Sequence, residues 1–339
     1  MSRIRIGLLT LSAALAVLLA IGVGAGQANA QTRVGTTLPP APPAGAPVVP
    51  APPKIPAPQN VLLKPTYDGV QLSATYYPTR LEKQAAKDAV PVLLLHQWKG
   101  SRADYNDLAL DLQKAGCAVL VPDLRGHGQS TRRVMPDGKE RQIDPAQISK
   151  ADMEAMAYAE QAGAGDVEVC KSYLMAKNNA GELNIDKLVV VGAEMGASLA
   201  VNWSDRDWSW APLLGAGKQG QFVKAVVLIS PNWTFKGFNI APAVADRDFA
   251  ANVSWLIAVG SQDSKALSEA KRMQQGLERF LPPPATPGRP LVEFLPYPTS
   301  LEGTKLLPTQ KLAGEIVKFI DQQVGKSGIQ WVERKSPIQ

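Results

Sequence analysis

Histidine is almost missing from this chain of 339 residues: there are two in all, His96 and His127. Any reaction that needs an imidazole base must therefore draw on one of those positions. Cysteine is equally scarce, with Cys117 and Cys170 alone. At most one disulfide can form, and nothing in the spacing brings the two Cα atoms within bonding range, so two buried free thiols are the expectation. Aromatic residues make up only 6%, and no basic cluster is interleaved with them. With a formal net charge of +6, mild for this length, nucleic acid is excluded as an expected partner. After the first thirty residues no apolar run is long enough to span a bilayer. What the chain does have is 45% hydrophobic residues, enough core for one large domain or two modest ones.

The amino-terminal residues 1–30 read as an export signal. Arg3 and Arg5 open it, an apolar stretch follows from Ile6 to Ala25, and Ala28-Asn29-Ala30 gives a small-x-small cleavage pattern before Gln31. The alternative is an uncleaved anchor, since about 20 apolar residues suffice to cross a membrane. The expected location is therefore exported: periplasmic, at the cell surface or secreted. Residues 31–58 are dominated by Pro and Ala and cannot bury a core, which predicts a linker.

From residue 59 onward strands and helices alternate. Segments 61–65 and 70–77 predict an opening antiparallel hairpin around Tyr67-Asp68-Gly69. Buried strands are expected at 90–96, 117–122, 188–191, 223–230, 254–259 and 291–294. Helices are expected at 104–115, 152–177, 265–280 and 309–323, with a glycine interruption near 163–165. Unbroken Val/Leu/Ile strands separated by helices predict an α/β fold: a mostly parallel central sheet with helices on both faces. The domain is expected to span 59–325, with a loose tail at 326–339.

Four segments carry chemistry-bearing patterns. Val92-Leu93-Leu94-Leu95-His96 is a strand ending in a histidine. Pro122-Asp123-Leu124-Arg125-Gly126-His127-Gly128-Gln129-Ser130 is a glycine-rich turn. Val191-Gly192-Ala193-Glu194-Met195-Gly196 joins a strand to a small-residue helix. Val259-Gly260-Ser261-Gln262-Asp263 ends a further strand in an acid. In this order they resemble the α/β-hydrolase superfamily, especially its dienelactone-hydrolase-like and serine-esterase-like members. The third segment is similar to the nucleophile elbow G-x-S-x-G. The glycines Gly192 and Gly196 match it, but Glu194 stands where the nucleophile would be.

The resemblance implies that the catalytic acid falls at Asp263 and the catalytic histidine at Glu302, in Leu301-Glu302-Gly303. Neither His96 nor His127 lies in that loop; both fall in segments that the family uses for loop structure. It also implies an oxyanion loop with backbone N–H groups near Gln97 and Met195. The Glu194 carboxylate is expected to fill that hole at the helix N-terminus. The function expected from these substitutions is binding or scaffolding by a pseudoenzyme, with an unidentified small molecule or protein as ligand and no cofactor. The alternative is an active hydrolase with a carboxylate or metal-assisted site. Haloalkane dehalogenases and epoxide hydrolases use a shorter Asp at the elbow together with a histidine, which is missing here. Three converging carboxylates could instead ligate a hard cation, although neutralisation by Lys99, Lys265 and Lys305 is favoured. Trp98, Trp208, Trp210 and Trp233 could line a ligand pocket or simply pack beneath loops. Membrane contact is expected only through an uncleaved N-terminal segment.

Overall fold

The computed structural model describes residues 55–158, 164–210, 218–281, 289–309 and 311–334. The expected export signal and most of the Pro/Ala-rich segment lie outside them. Eight strands build one sheet: β1 (Gln59–Leu62), β2 (Ser73–Tyr77), β3 (Pro91–Leu95), β4 (Ala118–Pro122), β5 (Leu188–Ala193), β6 (Val223–Ile229), β7 (Ser254–Gly260) and β8 (Val292–Tyr297). Their spatial order is β1-β2-β4-β3-β5-β6-β7-β8. β2 runs antiparallel to β1 and β4, and every pairing from β4 to β8 is parallel.

Burial explains which runs become central. Every residue of β3, β4, β5 and β7 is buried, whereas β1 is largely exposed and β8 half-buried, as expected at sheet edges. Alternate residues serve opposite faces. Leu93, Val190, Val226 and Ile257 join one core. Their neighbours Val92, Val191, Val227 and Leu256 join the other. The first face is covered by α2 (Lys150–Ala157), α3 (Asp166–Asn179), α4 (Met195–Trp208) and α5 (Ser264–Glu278). The second is covered by α1 (Asn106–Lys114) and α6 (Leu312–Ile320). Chain order reverses around β3 and β5, so a crevice opens at their carboxyl ends, the usual ligand position in such sheets.

Several expected boundaries shift. The opening hairpin pairs 59–62 with 73–76. Its connection is longer because Gly69 abuts the Val134 carbonyl and Val70 bridges to Arg133. The helical stretch expected at 152–177, with its interruption near 163–165, is two helices, because Tyr158 and Gly165 adopt extended backbone between them. Residues 326–334 are not loose: three asparagine side chains hold them against the domain. At the other end the Gln113 amide donates to the Pro56 carbonyl at 2.9 Å, so the linker already docks by that residue. Cys117 and Cys170 are both buried and free.

The Asp123–Ser130 turn is fixed by buried charge. Arg125 is fully buried and pairs with Asp166, also fully buried, at 2.5 Å, and with Asp68 at 2.8 Å. Asp123 accepts from the Arg102 and Gln129 backbone N–H groups, both at 2.9 Å. Breaking a buried pair from one side strands the other charge. Arg125→Ala is therefore expected to cost about 3–5 kcal/mol in guanidinium unfolding. Asp68→Asn, at a partly exposed partner, is expected to cost about 1 kcal/mol.

Candidate functional site

β5 ends in a sharp corner. Glu194 has φ 46° and ψ −108°, and α4 begins at the next residue. Such a conformation in a residue with a Cβ costs on the order of 1–3 kcal/mol and persists only where neighbours impose it. Here the neighbours are backbone. A Cβ at Gly192 would lie 2.3 Å from the Gly196 carbonyl oxygen, and one at Gly196 would lie 2.1 Å from the Leu95 oxygen. β3, β5 and α4 thus meet at contact distances that only glycine permits. The Glu194 N–H donates to Ile229 O at 3.0 Å, which ties the corner to β6.

The loops after β7 and β8 open on the same side. Asp263 caps α5, accepting from the Ala266 N–H at 2.8 Å. Glu302 precedes a short turn, Gly303–Lys305. Two contacts clamp that turn beside the corner. The Thr304 N–H donates to Gln97 Oε1 at 2.7 Å, and the Gly303 N–H donates to Ser230 Oγ at 3.0 Å. Gly303 has φ 56°, and a Cβ there would lie 2.7 Å from Glu194 Oε1 and 2.1 Å from Gln97 Oε1.

The expected convergence of Glu194, Asp263 and Glu302 is therefore what the geometry gives. Their protonation differs. Burial raises the Glu194 pKa, and the charge of Glu302 adds to this while Lys305 opposes it. Burial also raises the Glu302 pKa, and its hydrogen bond to Asp263 and the Asp263 charge add to this while Lys265 and Lys305 oppose it. Asp263 is lowered by the Ala266 N–H and by that same hydrogen bond. Glu302 stands between the other two: its charge acts on Glu194, and it hydrogen bonds to Asp263.

Other expectations are corrected. Glu194, expected to accept hydrogen bonds at the helix N-terminus, makes no side-chain capping hydrogen bond to α4, and its Oε1 lies beside Gly303. Gln97 acts through its side chain, as the acceptor for Thr304. Among the described residues no group of three His, Cys, Asp or Glu could hold a metal ion. The metal-assisted alternative therefore has no ligand set there, because Asp263 is turned onto its own helix. Lys99 lies 4.5 Å over the Trp98 ring instead of on a carboxylate.

Trp98 and Trp233 stand at the carboxyl edge of the sheet. The Trp98 indole donates to Pro145 O at 3.0 Å, and Arg272 lies 4.0 Å over Trp233. Trp208 and Trp210 do not join them. They follow the far end of α4, about 20 Å from the corner at 1.5 Å per residue, and the Trp208 indole donates to Val223 O, where β6 starts.

The two histidines are structural. His96 Nδ1 donates to Gln97 O at 2.7 Å and its Nε2 accepts from the Leu124 N–H at 2.9 Å. Burial pushes its pKa down to about 4. His127 Nε2 accepts from the Lys99 N–H at 3.0 Å, and burial lowers its pKa also. The roles of the Gln97 side chain and Ser230 were missed in the sequence, because their partners lie on distant loops.

The model of the alpha/beta hydrolase fold family matches residues 90–311, and the chain belongs to that family. No curated protein matches it in sequence. Among solved structures it is similar to Thermogutta terrifontis esterase 2 phosphoramylated by tabun, with TM-score 0.53 and 14% identity over 79% of this chain and 95% of that one. It is also similar to a thermostable carboxyl esterase from Bacillus coagulans in complex with glycerol, with TM-score 0.52 and 11% identity over 79% and 99% of the two chains. A third is Pyrococcus horikoshii acylaminoacyl peptidase, with TM-score 0.53 and 10% identity over 83% and 43%. At these identities the likeness concerns the fold.

The raised Glu302 pKa carries a signed consequence. A carboxyl whose folded pKa lies above its ordinary 4.5 contributes stability below 4.5 that is lost as pH rises through the folded value. Glu302→Gln keeps an N–H donor for Asp263 and cannot ionise. Relative to this variant, the wild type is expected to lose melting temperature as pH rises from about 4.5 through the raised folded value, with a flat difference above that. A difference that does not change with pH would show that the Glu302 pKa is not raised.

Proposed function

We propose that this is an exported α/β-hydrolase-fold protein that binds a ligand at its carboxyl-edge cleft without hydrolysing esters. The observation that carries this reading is the chemistry of the three converging groups. Ester hydrolysis at such a corner needs a nucleophile, a base to deprotonate it and an acid to orient the base. Here the corner offers Glu194, whose weakly nucleophilic carboxyl is held toward Gly303. The base position offers Glu302, a carboxyl in place of an imidazole, which hydrogen bonds away toward Asp263. Both imidazoles are committed to backbone partners elsewhere.

A second reading has one observation in its favour. Glu194 and Glu302 are neighbouring carboxyls with raised pKa values, the kind of pair that performs acid–base chemistry. The two readings separate in one experiment. The mature protein is expected to leave p-nitrophenyl acetate and butyrate at the buffer rate. Glu194→Ser alone is expected to add little, because a base contributes about 10²–10⁴-fold and the groups act as a unit. Glu194→Ser with Glu302→His is expected to exceed the buffer rate measurably. Turnover by the unmodified protein that disappears in Glu194→Gln would replace the binding reading with the carboxylate enzyme. Export is checked separately: intact mass of the protein recovered outside the cytoplasm is expected to begin at Gln31.

A further inference from the structure

Residues 326–334 form an arrangement that neither the sheet nor the carboxyl site requires. They leave the last turn through Gly328, at φ 66°, and lie along the end of α3 and the turn after it. Contact is made mainly through main chain. Asn184 donates its amide to Ile329 O at 2.9 Å, and Asn178 donates to Val332 O at 3.0 Å. Asn179 takes both main-chain groups of Arg334: its amide donates to the carbonyl at 2.6 Å, and its oxygen accepts from the N–H at 2.9 Å. Two side chains supply the rest. The Trp331 indole donates to Asn178 O at 3.0 Å and lies 4.0 Å beneath Lys87. The Arg334 guanidinium meets Asp186 through Nε at 3.0 Å and a terminal nitrogen at 2.6 Å.

The two sides of this contact differ in how firmly they are built. Asn178 and Asn184 are fully buried and are held by bonds that do not involve the segment. Asn178 Oδ1 accepts from the Ile185 N–H at 2.9 Å, and Asn184 Oδ1 accepts from the Asp186 N–H at 3.1 Å. Asp186 also pairs with Lys218 at 3.2 Å through its other carboxylate oxygen. The segment, by contrast, has no fully buried side chain: Val332 is 46% exposed, Gln330 and Glu333 are exposed as well, and Ile329 and Trp331 are half-buried. A row of asparagine amides, two of them buried and held by bonds of their own, facing a weakly buried extended segment is the arrangement of a peptide receptor and its ligand.

We propose that Asn178, Asn179, Asn184 and Asp186, with Lys87, form a docking groove for an extended peptide with the pattern Trp-x-x-Arg. The chain's own 329–334 segment is its resident occupant. The main-chain contacts accept any extended backbone, and the Lys87 ammonium and Asp186 carboxylate select the aromatic and the arginine three residues later. Tethering gives the resident segment a high effective concentration, so a partner's segment enters only when the resident one is displaced.

The test uses the full chain with Trp331→Ala and Arg334→Ala combined, which weakens the resident segment without touching the groove. The probe is a fluorescein-labelled peptide with the sequence of residues 326–334, followed by anisotropy, with a thermal melt of each protein alongside. The variant is expected to melt within a few degrees of the wild type and to bind the probe at least about tenfold more tightly than the wild type does. Probes carrying Ala at the Trp or the Arg position are expected to lose that gain. Equal affinity of variant and wild type would overturn the proposal, as would a gain that both altered probes retain. A variant that no longer folds would also overturn it, by showing that the segment is part of the core.

Discussion

The close meeting of three backbones at the end of the sheet governs everything at the functional end of this molecule. The end of β3, the last residues of β5 and the first turn of α4 approach so closely that side chains at Gly192 and Gly196 are impossible. That contact bends residue 194 into positive φ and projects its side chain into the crevice. It also fixes His96 and Gln97 beside the corner, and Gln97 then clamps the loop that carries Glu302. The geometry is set by glycine and main chain, so it is indifferent to the side chain at 194. A glutamate occupies the corner as readily as a hydroxyl residue would.

Within that frame, charge decides what the site can do. Three carboxyls in a half-buried cleft cannot all ionise cheaply. The Asp263 carboxylate is secured by its own helix, while burial and the neighbouring carboxyls raise Glu302 and Glu194. The arrangement is self-consistent as a row of interacting carboxyls. It lacks an imidazole poised over a hydroxyl or thiol.

Much of this was legible beforehand, for identifiable reasons. The central strands announced themselves as unbroken apolar runs, because both of their faces are buried. The corner was legible in the spacing of Gly192, Glu194 and Gly196. Convergence of Asp263 and Glu302 on Glu194 followed from the order of segments. The direction of the Glu194 side chain was not legible, since it depends on a Gly303 contact made across 109 positions of sequence. The docking of 326–334 left no hydrophobic pattern because asparagine amides and main chain carry it. Of the two readings left open for Trp208 and Trp210, packing away from the cleft had a signal in its favour: α4 ends at Trp208, three to four turns from its first residue.

Both described chain ends leave from the edge of the sheet opposite the corner. Pro56 is held by Gln113 at the far end of α1, and Arg334 is held at the far end of α3. For anyone building with this domain, that placement makes it a convenient surface reagent. Immobilised on a chip or bead through either described end, it would present its carboxyl-lined cleft to solution, unobstructed by the attachment.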